Sequence, residues 1–321
     1  MKKTIILIFL AFPIITLGQA NKFLRQGLKT TDLKEKIELF TKAIELEPKK
    51  LDAYFYRAIA KNDLGNYHGA IVDYSKIIVT EPDADTYYNR GNSRYSLKDF
   101  EGAKTDYNKA IDLDPYFVDA IYSLGCSEYD LGNFEEAILD FNQAIKIQPY
   151  YPKAYELRAN AYAFLKEYKK ALADYTMTVL IDPSPDSYYN RGVFYMDINH
   201  YKKAKYDLST SIRLNENNGF AYFYRGASNL LLGKYKNAVS DFSSALKFDS
   251  SDFDAMLGLA MAYYRMENMT NAELNFNKAK QILKTNETNQ QGIDLFSNTY
   301  WYQNQDYFFN AFFNTFTKQQ N

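Results

Sequence analysis

The sequence predicts an all-α solenoid of tandem helix pairs, and three observations predict it. A template of 33 or 34 residues recurs seven times in register. A small residue returns at two fixed places in every copy. Proline closes four of the copies, where a helix must stop.

The copies occupy residues 51–83, 84–117, 118–151, 152–184, 185–218, 219–252 and 253–284, with a shorter, irregular element over 21–50. Apolar residues fall at three- and four-residue intervals in both halves of each copy, which predicts two amphipathic helices. Repeat position 8, in the first helix, is Ala58, Gly91, Gly125, Ala159, Gly192, Gly226 and Ala260. Position 20, in the second, is Ala70, Ala103, Ala137, Ala171, Ala204, Ala238 and Ala272. Small side chains on both helices let them cross closely. Pro82, Pro115, Pro149 and Pro183 end copies, and Asp52, Asp85, Asp119, Asp186 and Asp254 open first helices at the positive end of the dipole.

Ahead of the array, Lys2 and Lys3 precede an apolar stretch from Ile5 to Leu17, and Gly18-Gln19-Ala20 offers small residues for cleavage. Residues 1–20 therefore read as a secretory signal, too short in its apolar run for a membrane span. Export to the periplasm or the medium is expected, with no membrane span in the mature chain. The net charge is −1, and losing Lys2 and Lys3 leaves −3. No basic excess is available to neutralise phosphates, so nucleic acid is not an expected partner. Cys126 is the one cysteine, which excludes an intrachain disulfide.

Catalytic chemistry finds little support. His68 and His200 sit at turns before second helices, in no metal or triad spacing. No CxxC, HExxH, phosphate-cradling or GxSxG sequence is present. No cofactor, metal or enzymatic activity is expected; a carboxylate pair supporting hydrolysis is the weakest reading kept open.

The spacing of small, aromatic and proline positions resembles the tetratricopeptide repeat (TPR), from about Asn21 to Leu283. Departures are Ile121 and Met256 at the aromatic position 4 and the missing final proline of the last three copies. The resemblance implies a right-handed superhelix whose concave face is lined by positions 2, 5, 9 and 12 of the first helices. Carried over by position, it places Phe55, Tyr88, Asn92, Tyr95, Tyr122, Tyr129, Asn160 and Tyr189 there. Tyrosine offers large contact area with a hydroxyl, and asparagine both donates to and accepts from a peptide backbone. A partner protein or an extended peptide is the expected ligand, and envelope assembly or secretion the setting that the resemblance suggests. A glycan or small ligand stacked on the tyrosines is the alternative. The clamp that grips chaperone C-termini has Lys at position 5 with Asn at position 9; no copy has that Lys, which argues against such a role.

Two further expectations concern packing. Position 23 is Asp73, Asp106, Asp140, Asp174, Asp207 and Asp241, and position 7 is Arg57, Arg90, Arg158, Arg191 and Arg225. Both are absent together from the seventh copy, so pairing within a repeat is expected, as in Arg90–Asp106 and Arg191–Asp207, with Asp140 left over. Beyond a polar stretch, residues 285–321 turn aromatic, with Phe309, Phe312, Phe313 and Phe316 at helical spacing. This extension is expected to cap the seventh copy near Met256, Tyr263 and Phe276; insertion into a partner or into the chain's own groove is the rival reading.

Overall fold

The computed structural model describes residues 18–286 and 291–320, and every regular element in it is helical. The signal sequence read at residues 1–20 lies outside the described residues except for 18–20, which open the first helix. The chain divides into two units between Glu167 and Tyr168.

The first unit holds α1 (residues 18–29), α2 (Leu33–Leu46), α3 (Leu51–Asp63), α4 (Tyr67–Thr80), α5 (Ala84–Ser96), α6 (Phe100–Leu113), α7 (Val118–Asp130), α8 (Phe134–Ile147) and α9 (Pro152–Phe164). Asp32, Asn66, Asp83 and Asp99 cap α2, α4, α5 and α6 by accepting from first-turn backbone N–H groups. In the α5–α6 and α7–α8 pairs the position-8 glycine meets a ring from the second helix. A Cβ on Gly91 would lie 2.6 Å from Tyr107, and one on Gly125 2.7 Å from Phe141. Phe141 is fully buried and has nowhere to move. Gly125→Ala should therefore destabilise the α7–α8 pair by about 1–3 kcal/mol, read as an earlier urea transition in circular dichroism.

The second unit holds α10 (Tyr168–Ile181), α11 (Pro185–Asp197), α12 (Tyr201–Leu214), α13 (Gly219–Leu231), α14 (Tyr235–Phe248), α15 (Phe253–Arg265) and α16 (Met269–Asn286). A 3-10 turn over Asp294–Phe296, α17 (Tyr300–Asn304) and α18 (Asp306–Gln320) follow. In α18, Phe309, Phe312 and Phe316 are buried. Phe276 of α16 meets Phe296, Phe312, Phe313 and Phe316 at centroid distances of 5.2–6.1 Å.

The turn within each pair needs a left-handed residue. Gly65, Gly132 and Gly233 supply it at φ 72–83°. Lys98, Lys166, Asn199 and Glu267 adopt φ near 60° at the same repeat position, carrying the cost of a Cβ there.

The charge ladder pairs within repeats. Arg57–Asp73, Arg90–Asp106, Arg191–Asp207 and Arg225–Asp241 lie 2.6–2.7 Å apart. In each, Nε and Nη2 fork onto one carboxylate. Each guanidinium also lies 5.4–5.8 Å from the ring of the position-4 tyrosine, Tyr54, Tyr87, Tyr188 or Tyr222. This stacking explains why Ile121 and Met256 replace the aromatic where Leu124 and Leu259 replace the arginine. The free Nη1 reaches back to the preceding second helix, from Arg57 to Thr41 Oγ1 and from Arg90 to Ser75 Oγ, both at 3.0 Å. One arginine thus ties three helices.

Candidate functional site

Residues at repeat positions 5, 9 and 12 stand four and three apart and share one face of each first helix. In the first unit this face carries Phe55 on α3, Tyr88, Asn92 and Tyr95 on α5, Tyr122, Cys126 and Tyr129 on α7, and Asn160 on α9. All are half-buried. Tyr189 belongs to α11 of the second unit, where its ring lies 6.0 Å from Tyr224.

Asn92, Tyr95 and Tyr122 come together. With Ser96, Tyr107, Ser123 and Cys126 they line a hollow of about 310 Å³ between α5 and α7. Tyr88 flanks it, its ring 5.9 Å from Tyr107 and 4.9 Å from Phe117. Tyr122 likewise leans on Phe141 at 5.9 Å and Tyr151 at 4.9 Å. These second-helix and loop rings hold the groove tyrosines in place and take part of their surface. Phe55, Tyr129 and Asn160 are not part of the hollow: Phe55 packs against Tyr74 at 6.0 Å, and Tyr129 against Phe134 and Phe164 at 5.3 and 5.9 Å.

The polar groups have defined orientations. Tyr107 donates its hydroxyl to Asn92 Oδ1 at 2.8 Å. That bond takes up the amide oxygen and leaves the amide nitrogen to donate into the hollow. Tyr95 donates to the Asp130 carboxylate, which fixes its ring across the gap between α5 and α7. Burial drives the Tyr122 hydroxyl well above the ordinary phenol range and pushes the Cys126 thiol up to about 12, with the Tyr122–Cys126 hydrogen bond as a lesser influence. The thiol is therefore protonated at neutral pH and is no nucleophile. No lysine or arginine lines the hollow. The site offers neutral donors, ring faces and a thiol: binding chemistry without an acid–base pair.

Sequence position missed Tyr107, Ser96 and Ser123. Tyr107 occupies a core position that is Phe141, Phe242 and Phe276 in three copies, Tyr74 and Tyr175 in two and Leu208 in one. It lies on α6, next to the groove helices, and because Tyr74 and Tyr175 share its position, its hydroxyl alone was no signal of a site.

Next to the hollow the ladder breaks. Leu124 stands where other repeats have arginine, and Glu128 where the first two have Lys61 and Arg94, each of which pairs with the ladder aspartate. Glu128 instead holds Lys104 at 2.7 Å. Asp140 is left without a guanidinium, and burial, with Glu128 close by, pushes its carboxyl up to about 7. An aspartate with a raised folded pKa favours folding when protonated. Its contribution is present in full below the unfolded value of about 4 and is lost as pH rises through 7. Asp140→Asn should therefore shrink the fall in thermal midpoint between pH 5 and pH 8; an unchanged pH profile would count against this placement.

Among the described residues, no group of three or more histidine, cysteine, aspartate or glutamate side chains is disposed to hold a metal ion. No described helix is long and apolar enough to cross a membrane.

Family models described as tetratricopeptide repeat match residues 84–117, 185–218 and 230–287, and one described as TPR repeat matches 127–166. The chain is built of tetratricopeptide repeats. Solved TPR structures resemble it in fold. The C-terminal part of a TPR repeat-containing protein from Cytophaga hutchinsonii is 22% identical, with a TM-score of 0.60 over 75% of this chain and 98% of that one. A TPR protein from Parabacteroides merdae is 18% identical, with a TM-score of 0.56 over 78% and 99%. YrrB, described as a TPR protein with an unusual peptide-binding site, is 22% identical, with a TM-score of 0.50 over 55% and 91%. No curated protein matches significantly. At such identities the likeness is one of fold, and the TPR scaffold by itself names no ligand.

Proposed function

We propose that this TPR protein is an exported scaffold that holds an extended segment of a partner protein across the groove face of its first unit. The observation that carries this reading is the hollow between α5 and α7. Asn92 is held there with its amide nitrogen left to donate, and Tyr95 and Tyr122 offer ring faces beside it. A backbone carbonyl satisfies such an amide, and an apolar or aromatic side chain fills such a hollow. The lining is neutral, which suits an uncharged stretch of peptide more than a phosphate or a carboxylate terminus. A peptide-binding site in YrrB, on the same scaffold, is in keeping with this use.

Export rests on the leader-like residues 1–20, with the periplasm or the medium as destination and envelope assembly or secretion as setting. The test is capture from the native cell on immobilised mature chain. The expected result is a protein retained by the wild type and lost when Asn92 and Tyr122 are replaced by alanine. Retention of polysaccharide alone, or equal retention by the variant, would overturn the reading.

A further inference from the structure

The groove face differs between the two units. In the first, the residues at positions 5, 9 and 12 are half-open to solvent. In the second, Tyr189 and Val193 on α11 and Tyr264 on α15 stay half-buried at these positions. On α13 and α15, however, Phe223, Ala227, Leu230, Leu257 and Met261 at the same positions are buried, at 6% exposure or less. Their cover comes from the chain's own C-terminal segment. Phe223 meets Tyr300 at 5.2 Å and Trp301 at 6.1 Å. Tyr264, the position-12 residue of the last repeat, meets Phe312 and Phe316 at 5.4 and 5.8 Å. Polar anchors fix the register: Trp301 Nε1 donates to the Asp254 carbonyl at 2.8 Å, and the Tyr300 backbone N–H to the Asp254 carboxylate at 2.9 Å.

The rings of this segment are packed as in a core, Trp301, Phe309 and Phe316 being fully buried, but the packing around them is incomplete. Cores are close-packed and satisfy their polar groups. Here an open cavity of about 760 Å³ remains beside Tyr300, walled by Phe220, Phe248 and Asp252 among others. The Asn310 side-chain oxygen is buried without a hydrogen-bond partner among the described residues, as are Ser211 Oγ and Asn229 Oδ1 in repeats of the same unit. Asp254 is half-buried, its carboxylate accepts from the Tyr300 N–H and lies near Asp252, and desolvation pushes its carboxyl up to about 7.

We propose that the groove face of the second unit is a second binding site, for an aromatic helical peptide, and that residues 294–318 are its resident ligand, docked in cis and able to open. The site recognises aromatic side chains at helical spacing together with an indole N–H. Tethering gives the resident segment an effective concentration on the order of millimolar, so a free peptide of the same chemistry competes poorly until the segment is weakened. The proposal does not depend on the first unit's ligand. Tyr88 and Tyr122 lie in that other unit, so failure there and failure here are separate results.

Trp301 is the one tryptophan, so intrinsic fluorescence reports the docking of this segment directly. In a urea titration of the mature chain, the red shift of Trp301 emission should precede the loss of helical circular dichroism. Coincident transitions would make the segment part of one cooperative core and overturn the proposal. A second measurement uses a labelled synthetic peptide of residues 291–318. It should bind full-length Trp301→Ala at least tenfold more tightly than wild type. Equal binding to both, or none to a variant that keeps its helicity, would also overturn it.

Discussion

Replacing Asp106 by alanine should be among the most damaging single changes in the first unit. Asp106 is fully buried and receives two cations, Arg90 at 2.6 Å and Arg94 at 2.9 Å. Removing it strands both guanidiniums, and breaking a buried pair from one side costs about 3–5 kcal/mol. In a repeat array each pair leans only on its neighbours, so the loss should be local. Amides of α5 and α6 should exchange faster by about two to four orders of magnitude, with smaller changes in α1 and α2. Replacing both partners together, Arg90→Met with Asp106→Leu, should recover much of the loss, because no charge is then left buried alone. If the single variant exchanges like wild type, the ladder does not hold the helix pairs.

The second large effect concerns binding. Tyr122 lines the hollow and Tyr88 flanks it, and both are held by Tyr107, Phe117, Phe141 and Tyr151 behind them. Rings fixed in this way bind with little further loss of side-chain freedom. The double variant Tyr88→Ala, Tyr122→Ala should weaken a captured partner segment by about 2–4 kcal/mol, roughly thirty- to a thousandfold, as expected for aromatic anchors. Calorimetry on the mature chain checks it, with circular dichroism confirming that helicity is kept. An affinity within a factor of two of wild type would remove these tyrosines from the site.

Much of this architecture was legible because a repeat lets the sequence be compared with itself. Positions 7 and 23 vanish together from the seventh copy, and that shared loss was enough to choose pairing within the repeat. The same logic applied to position 4 points to the tyrosine–arginine stack, since Ile121 accompanies Leu124 and Met256 accompanies Leu259. The reach of Arg57 to Thr41 and of Arg90 to Ser75 was hidden, because it joins neighbouring copies and leaves only a small polar residue as its trace. The groove positions came from resemblance, and geometry divides them. Asn92, Tyr95 and Tyr122 share a hollow, Phe55 and Tyr129 pack elsewhere, and Tyr189 lies in the other unit. The hydroxyl of Tyr107 lay outside any groove pattern because it arrives from a core position. Where the extension lands was set by no periodicity. Its expected contact with Phe276 is present, and so is the docking of Tyr300 and Trp301 on Phe223, which only the three-dimensional fold brings together.

The central claim is that the ligand lies on the groove face of the first unit, at the hollow between α5 and α7. Site-specific photocrosslinking in the native cell tests it most directly. A benzophenone amino acid placed at Ser96, at the edge of the hollow, is compared with one at Val72, which is exposed on the outer side of α4. The account predicts a discrete protein adduct from position 96 and none from position 72. An adduct from position 72 with none from position 96 would contradict it.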